Sequence, residues 1–143
     1  MNVACLYDLY FCAQKYNLPA LRLAVVNQMI SLISEKSALK TYEFAKQFKQ
    51  QVLMSQIVDF VRENTVKIIQ DESFEAIQRS TLNFLLNHEK LNASELELFQ
   101  ACLCWAKAKC ARKSIVKPNL KELRNALRNE LYLLRIPQMS NED

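Results

Sequence analysis

The sequence predicts an all-α fold of antiparallel helical pairs, arranged as a helical bundle or short solenoid. Three observations predict it. Apolar residues recur at intervals of three and four along most of the 143 residues, the spacing that lines one face of a helix. Glycine is absent, so the Asn-Gly type of turn that joins short strands is missing. The connections between periodic stretches are short, as expected where neighbouring helices run antiparallel.

Each element has its own signal. Asn2 caps a first helix that carries Val3, Leu6, Leu9, Tyr10 and Ala13 and ends near Tyr16 and Asn17. Leu18-Pro19 restarts the chain, with proline suited to a first helical position. Leu21, Val25, Met29 and Leu32 run down one side of the second helix. Ser37 opens a third, with Leu39, Tyr42, Phe44, Ala45 and Phe48. Gln50-Gln51 is a weak break before a fourth, whose face holds Leu53, Ile57, Phe60 and Val61. TVKII is strand-like in propensity, but a lone strand has no partner here, so it reads as the frayed end of helix four. Asp71 or Ser73 caps a short helical turn into Phe74 and Ile77, and Ser80-Thr81 begins another short helix. Ser94 with Glu97 three residues on is a capping box, opening a helix to about Lys113. Pro118-Asn119 opens the last long helix, with a stripe of Leu120, Leu123, Leu127 and Leu131, and Pro137 ends the helical pattern.

Composition narrows the functional classes. The length suits one domain, able to bury roughly 70% of its surface without disulfide or metal. Half the residues are hydrophobic and 24% charged, an ordinary globular balance. Without glycine there is neither a dinucleotide fingerprint nor a P-loop, which need it where backbone approaches phosphate. No apolar run is long enough to span a membrane, and MNVACLYDLY lacks the pattern of a signal peptide. Five cysteines then suggest free thiols in a reducing, cytoplasmic setting.

Net charge is +4, unevenly spread. Residues 107–135 hold nine Lys and Arg against Glu122 and Glu130, a net +7. Such a segment suits a solvated helix face; the alternative is a basic helical nucleic-acid surface using Lys107–Arg135. Only Tyr132 interleaves with these cations, not the series of rings that a stacking platform would require.

The stretch SELELFQACLCWAKAKCARK, residues 94–113, carries three cysteines around the only tryptophan. On one helix Cys102 and Cys104 point about 200° apart, and Cys102 and Cys110 are about 12 Å apart along the axis. Neither pair shares an ion with bonds near 2.3 Å, so neither metal nor other cofactor is expected. Leu96, Phe99, Leu103, Ala106 and Cys110 instead read as a buried face, widened by Leu98, Cys102 and Trp105. Cys104 is the candidate exposed and reactive thiol, with Lys107 one turn on. His88 lies in a polar connection and reads as a surface residue. The acid pairs Glu95/Glu97 and Asp71/Glu72 belong to helix ends, and no residue set suggests an enzyme. Tyr42 and Phe44 are about 200° apart on their helix. Either that helix is covered all round, or a ring meets a partner; Tyr42, Phe44 and Phe48 are the candidate partner-binding residues.

Several local patterns resemble one family. LYDLYFCAQKYNLPALRLAVVNQM resembles the helical end of a BTB domain. ISEKSALKTYEFAKQFKQQVLMSQIVDFV is similar to the two helices called the 3-box. FEAIQRSTLNFLLNHEKLNASELELFQACLCWAKAKC resembles the core of a BACK domain, and LRNALRNELYLLRIPQMSNED its closing helix. The resemblance covers almost the whole chain, and S-E-x-x-L-F-x-A-x-x-x-W-A followed by R-x-P-x-M is its most specific combination. It implies residues 1–34 as C-terminal BTB helices, 35–137 as 3-box plus BACK domain, and 138–143 as a tail. It is closer in texture to BTB–BACK proteins with a C-terminal PHR domain than to those with Kelch repeats. The family implies a non-enzymatic substrate adaptor that binds cullin-3 and dimerises through its BTB domain. The BTB strands and a recruiting domain are missing from this sequence, so the resemblance implies a fragment or a truncated member.

Overall fold

In the computed structural model, residues 2–88, 91–115 and 117–128 are described. They form α1 (Val3–Lys15), α2 (Pro19–Ser31), α3 (Ala38–Gln47), α4 (Gln51–Glu63), α5 (Thr65–Gln70), a 3-10 turn at Glu72–Ala76, α6 (Arg79–Asn87), α7 (Glu95–Arg112) and α8 (Leu120–Leu127). Among the described residues there is no strand. The chain divides into two compact units, Met1–Val61 and Arg62–Asp143.

The first unit is built on the α1–α2 hairpin. Asn2 Oδ1 accepts from the Ala4 N–H at 3.1 Å, satisfying one of the amides a helix start leaves open. Leu6, Tyr10 and Ala13 form the buried face of α1, and Val25, Val26 and Met29 that of α2. Pro19 takes the first position of α2, where its missing N–H costs nothing. Leu53, Ile57 and Val61 complete the unit's core from α4.

The missing glycines leave a mark at the helix ends. Asn17, Lys49 and Ser114 follow α1, α3 and α7 with φ of 52°, 55° and 66°, the left-handed region that glycine normally fills. In each case the next N–H reaches back to the carbonyl five residues earlier: Leu18 to Ala13 at 2.8 Å, Gln50 to Ala45 at 2.8 Å, Ile115 to Cys110 at 3.0 Å. These bonds turn the chain sharply and close the last turn of each helix. Arg128 after α8 also has positive φ, at 48°.

The second unit centres on α7, which packs against α8, the 3-10 turn and α5. Ser94 forms the expected capping box: its Oγ accepts from Glu97 N–H at 3.2 Å, and its own N–H donates to Glu97 Oε2 at 2.8 Å. Asn119 and Glu122 make a second, with Asn119 Oδ1 accepting from Glu122 N–H at 2.9 Å. Asp71, one of the two expected caps, accepts from Ser73 N–H at 2.9 Å.

Three expectations change. TVKII is a separate helix, α5, rather than the frayed end of α4. Thr65, Ile68 and Ile69 are buried there, so tertiary burial overrides the weak helix propensity of β-branched residues. The buried face of α7 is rotated from the expected stripe. Leu98, Ala101, Cys102, Trp105, Ala106 and Cys110 are buried, whereas Leu96, Phe99 and Leu103 are half-buried. Periodicity admits both faces; the neighbours on α7 choose between them. Leu120 is 86% exposed, so the stripe of α8 begins at Leu123 and continues through Ala126 and Leu127. Leu131 and Pro137 lie outside the described residues.

Candidate functional site

In the first unit, α1 and α3 bring five aromatic rings together. Phe44 is the hub. Tyr7 stacks on it at 4.7 Å, Tyr10 meets it edge-on at 5.1 Å, Phe48 lies 4.7 Å away and Phe11 6.4 Å. Phe11 and Phe48 also meet at 5.0 Å, nearly perpendicular. Edge-to-face and offset contacts of this kind add to the burial of each ring. The polar ends of two rings are tied down. The Tyr7 hydroxyl lies 2.9 Å from Thr41 Oγ1, and Gln50 Nε2 donates to the Tyr10 hydroxyl at 2.7 Å and to the Phe48 carbonyl at 3.1 Å.

The three candidate contact residues therefore differ. Tyr42 and Phe44 are 5% and 7% exposed: α3 is covered on both faces, the first of the two alternatives its sequence leaves open. Phe48 is half-buried. The outer edge of the cluster is formed by Phe48 together with Phe11, which is 48% exposed. Phe11 is not among the expected residues. Its only sequence signal is the run Tyr7, Tyr10, Phe11 at three and four on α1, which reads equally as core. Beside Tyr10 and Gln50, the residues Pro19, Leu23 and Val52 line a shallow groove of about 350 Å³, and Leu23 and Val52 are 63% and 65% exposed.

Burial shifts two of the phenols. Desolvation raises the Tyr7 pKa above its usual 10.0, and the Glu43 carboxylate adds to this while the hydrogen bond with Thr41 opposes it. Burial alone raises that of Tyr42. Both groups favour the neutral form, which suits packing and hydrogen bonding and not proton transfer near neutrality.

In the second unit Trp105 is the anchor. It is 2% exposed, and its Nε1–H donates to the Ile77 carbonyl at 3.1 Å. The Arg79 guanidinium lies over the ring at 5.3 Å and the Lys109 ammonium at 5.0 Å. Cys102 and Cys110 are buried, while Cys5, Cys12 and Cys104 are exposed. Cys104 borders a groove of about 240 Å³ whose lining includes Asp71, Glu72, Glu75 and Glu97. Carboxylates share that groove with the thiol, and Lys107 is not among its lining residues. His88 is half-buried with its ring edge-on to Phe84 at 5.8 Å. Among the described residues no three His, Cys, Asp or Glu side chains are grouped to hold a metal ion, and no helix is long and apolar enough to cross a membrane.

The sequence of this helical chain matches a known family. The family model for the BACK domain, "BTB And C-terminal Kelch", covers residues 38–138. The chain belongs to the BACK family. BTB/POZ domain-containing protein 6 of Mus musculus is 33% identical to this BACK chain over 134 residues, which is 93% of the chain and 24% of that protein. The Homo sapiens protein of the same name is 32% identical over 134 residues. BTB/POZ domain-containing protein 3 of Homo sapiens is 31% identical over 133 residues, 93% of the chain and 25% of that protein. The BACK chain thus spans about a quarter of the length of these relatives.

Proposed function

We infer that this BACK chain is a non-enzymatic scaffold from a substrate adaptor of a cullin-3 ubiquitin ligase. On this reading residues 1–34 are the last helices of a BTB domain, 35–137 are the 3-box and BACK domain, and 138–143 are a tail. The chain orients a substrate-recruiting domain relative to the ligase. It works in the cytoplasm, and dimerisation belongs to the BTB domain. Family membership supports the reading. Such a role needs fixed geometry and no reacting side chain.

The observation that carries the contact assignment is the apolar surface that the first unit leaves open. Phe11, Leu23 and Val52 are each about half exposed or more, and Phe48 completes the edge of the aromatic cluster. Large rings at the surface, held in place by neighbours, are the usual anchors of a protein interface. Phe44 acts from beneath by holding that surface in shape, while Tyr42 is buried on the other face of α3.

The test is a pull-down of the cullin-3 N-terminal region by this chain fused behind a BTB domain. Phe48→Asp and Phe11→Asp, each still helical by circular dichroism, should weaken capture, and Leu120→Asp on the second unit should not. Phe44→Asp is unsuitable, since it places a charge among four rings. Capture unchanged by both Phe11→Asp and Phe48→Asp refutes the contact assignment.

A further inference from the structure

The basic character of the C-terminal third converges on one place. Lys109 and Lys113 come from the end of α7, Arg124 and Arg128 from α8, and Arg79 from the start of α6. Together they line a cleft of about 600 Å³. Among its described lining residues Glu122 is the only acid, and its Oε2 already accepts the Asn119 N–H at 2.7 Å. Its described lining thus gathers five cationic side chains and one committed carboxylate.

Two of the cations are held in place. Arg79 donates to the Ala126 and Leu127 carbonyls at the end of α8 while lying over the Trp105 ring, as does Lys109. Lys113, Arg124 and Arg128 are exposed. A cation near a helix C-terminus complements the helix dipole, which accounts for one charge at each end. It does not account for five converging on one cleft.

We propose that this cleft docks an acidic peptide segment of a protein partner. Its volume lies in the range of sites that hold a few side chains, and charges fixed before binding lose less freedom on docking. Arginine and lysine together suit carboxylates or phosphorylated side chains. Nucleic acid is disfavoured by two features. No aromatic residue is among the described lining residues, and Trp105 is buried beneath cations, so bases have no ring to stack on. This inference concerns the second unit alone and stands apart from the cullin-3 reading.

The test uses the whole chain and a short fluorescein-labelled peptide of alternating Glu and Ser, monitored by fluorescence anisotropy at low salt. Binding should saturate, weaken as salt rises, and be absent for the Gln/Ser counterpart. Lys113→Gln with Arg124→Gln should weaken it about tenfold, the cost of roughly one charge-assisted hydrogen bond. Lys107→Gln with Lys121→Gln removes equal charge from exposed positions outside the cleft and should leave binding intact. Because Trp105 is the only tryptophan and lies under Lys109, its emission should change along with the anisotropy. Equal losses in both double variants, an unchanged indole signal, or tighter binding of an oligothymidine of the same charge would each overturn the proposal. So would no binding at low salt.

Discussion

Lys49 ends α3 with φ of 55°, and a glycine there should stabilise the protein. For an L-residue the left-handed conformation costs about 1–2 kcal/mol, because Cβ crowds the following carbonyl. Glycine escapes that cost but gives the unfolded chain more freedom, losing about 0.5–1 kcal/mol. The difference is a gain of about 0.5–1 kcal/mol. Nothing else of consequence is removed, because the Lys49 side chain is exposed. The backbone bonds that define the turn, Lys49 N–H to Lys46 at 3.3 Å and Gln50 N–H to Ala45 at 2.8 Å, are kept.

That gain corresponds to a rise of about 2 °C in Tm for a chain of this length, measured by circular dichroism in parallel with Lys49→Ala. Alanine keeps Cβ, so that variant should melt within a degree or so of the parent chain. A Lys49→Gly variant that melts no higher than Lys49→Ala would refute the argument. It would mean that left-handed strain is not what the turn stores. The position also bears on the candidate surface, since Lys49 lies between Phe48 and Gln50, the two residues that close over Tyr10.

Trp105→Phe leaves the buried Ile77 carbonyl without its indole donor and should cost about 2–3 kcal/mol in urea unfolding; a loss near zero would show that water replaces the bond. Tyr7 and Tyr42 hold their protons above the usual tyrosine pKa, so unfolding makes these phenols more acidic. Their contribution to stability is complete below about pH 10 and is lost as pH rises through the raised folded values. Phenolate absorbance should therefore appear at higher pH in the folded chain than in urea, and the reverse order would contradict the burial argument. Alkylation of the folded chain should label Cys5, Cys12 and Cys104 quickly and spare Cys102 and Cys110. Five equal rates would mean that α7 is not packed as described.

Much of the fold is legible in the sequence because its signals are local. Asn2, Pro19, Ser94 and Pro118-Asn119 mark helix starts through the bonds or torsions of their own residues, and the structure begins helices at or beside each. The Asn119–Glu122 capping box is just as local, but the proline beside it is the more conspicuous signal. The break at Asn64 is harder to see. The β-branched run after it has weak propensity of either kind, and only the packing of Ile68 and Ile69 against other elements makes it a helix of its own.

The aromatic site shows the limit more clearly. A helical angle of about 200° between Tyr42 and Phe44 leaves two outcomes open, and the angle itself carries no information about what lies beside α3. Phe11, on another helix and more than thirty residues away in sequence, is similarly invisible as a neighbour of Phe48. The same holds for the basic segment, whose charge is countable from the sequence but whose convergence with Arg79 is not.

By itself the sequence determined that the chain is all-helical, where most helices start, and which family its motifs resemble, since spacing, caps and motif letters are properties of neighbouring residues. Tertiary structure decided which face of α7 is buried, that Tyr42 and Phe44 turn inward while Phe11 and Phe48 form an edge, and that five cations share one cleft. These depend on what packs against each helix. A periodic stripe says that some face will be buried; the contacting elements, brought together by hydrophobic burial, decide which.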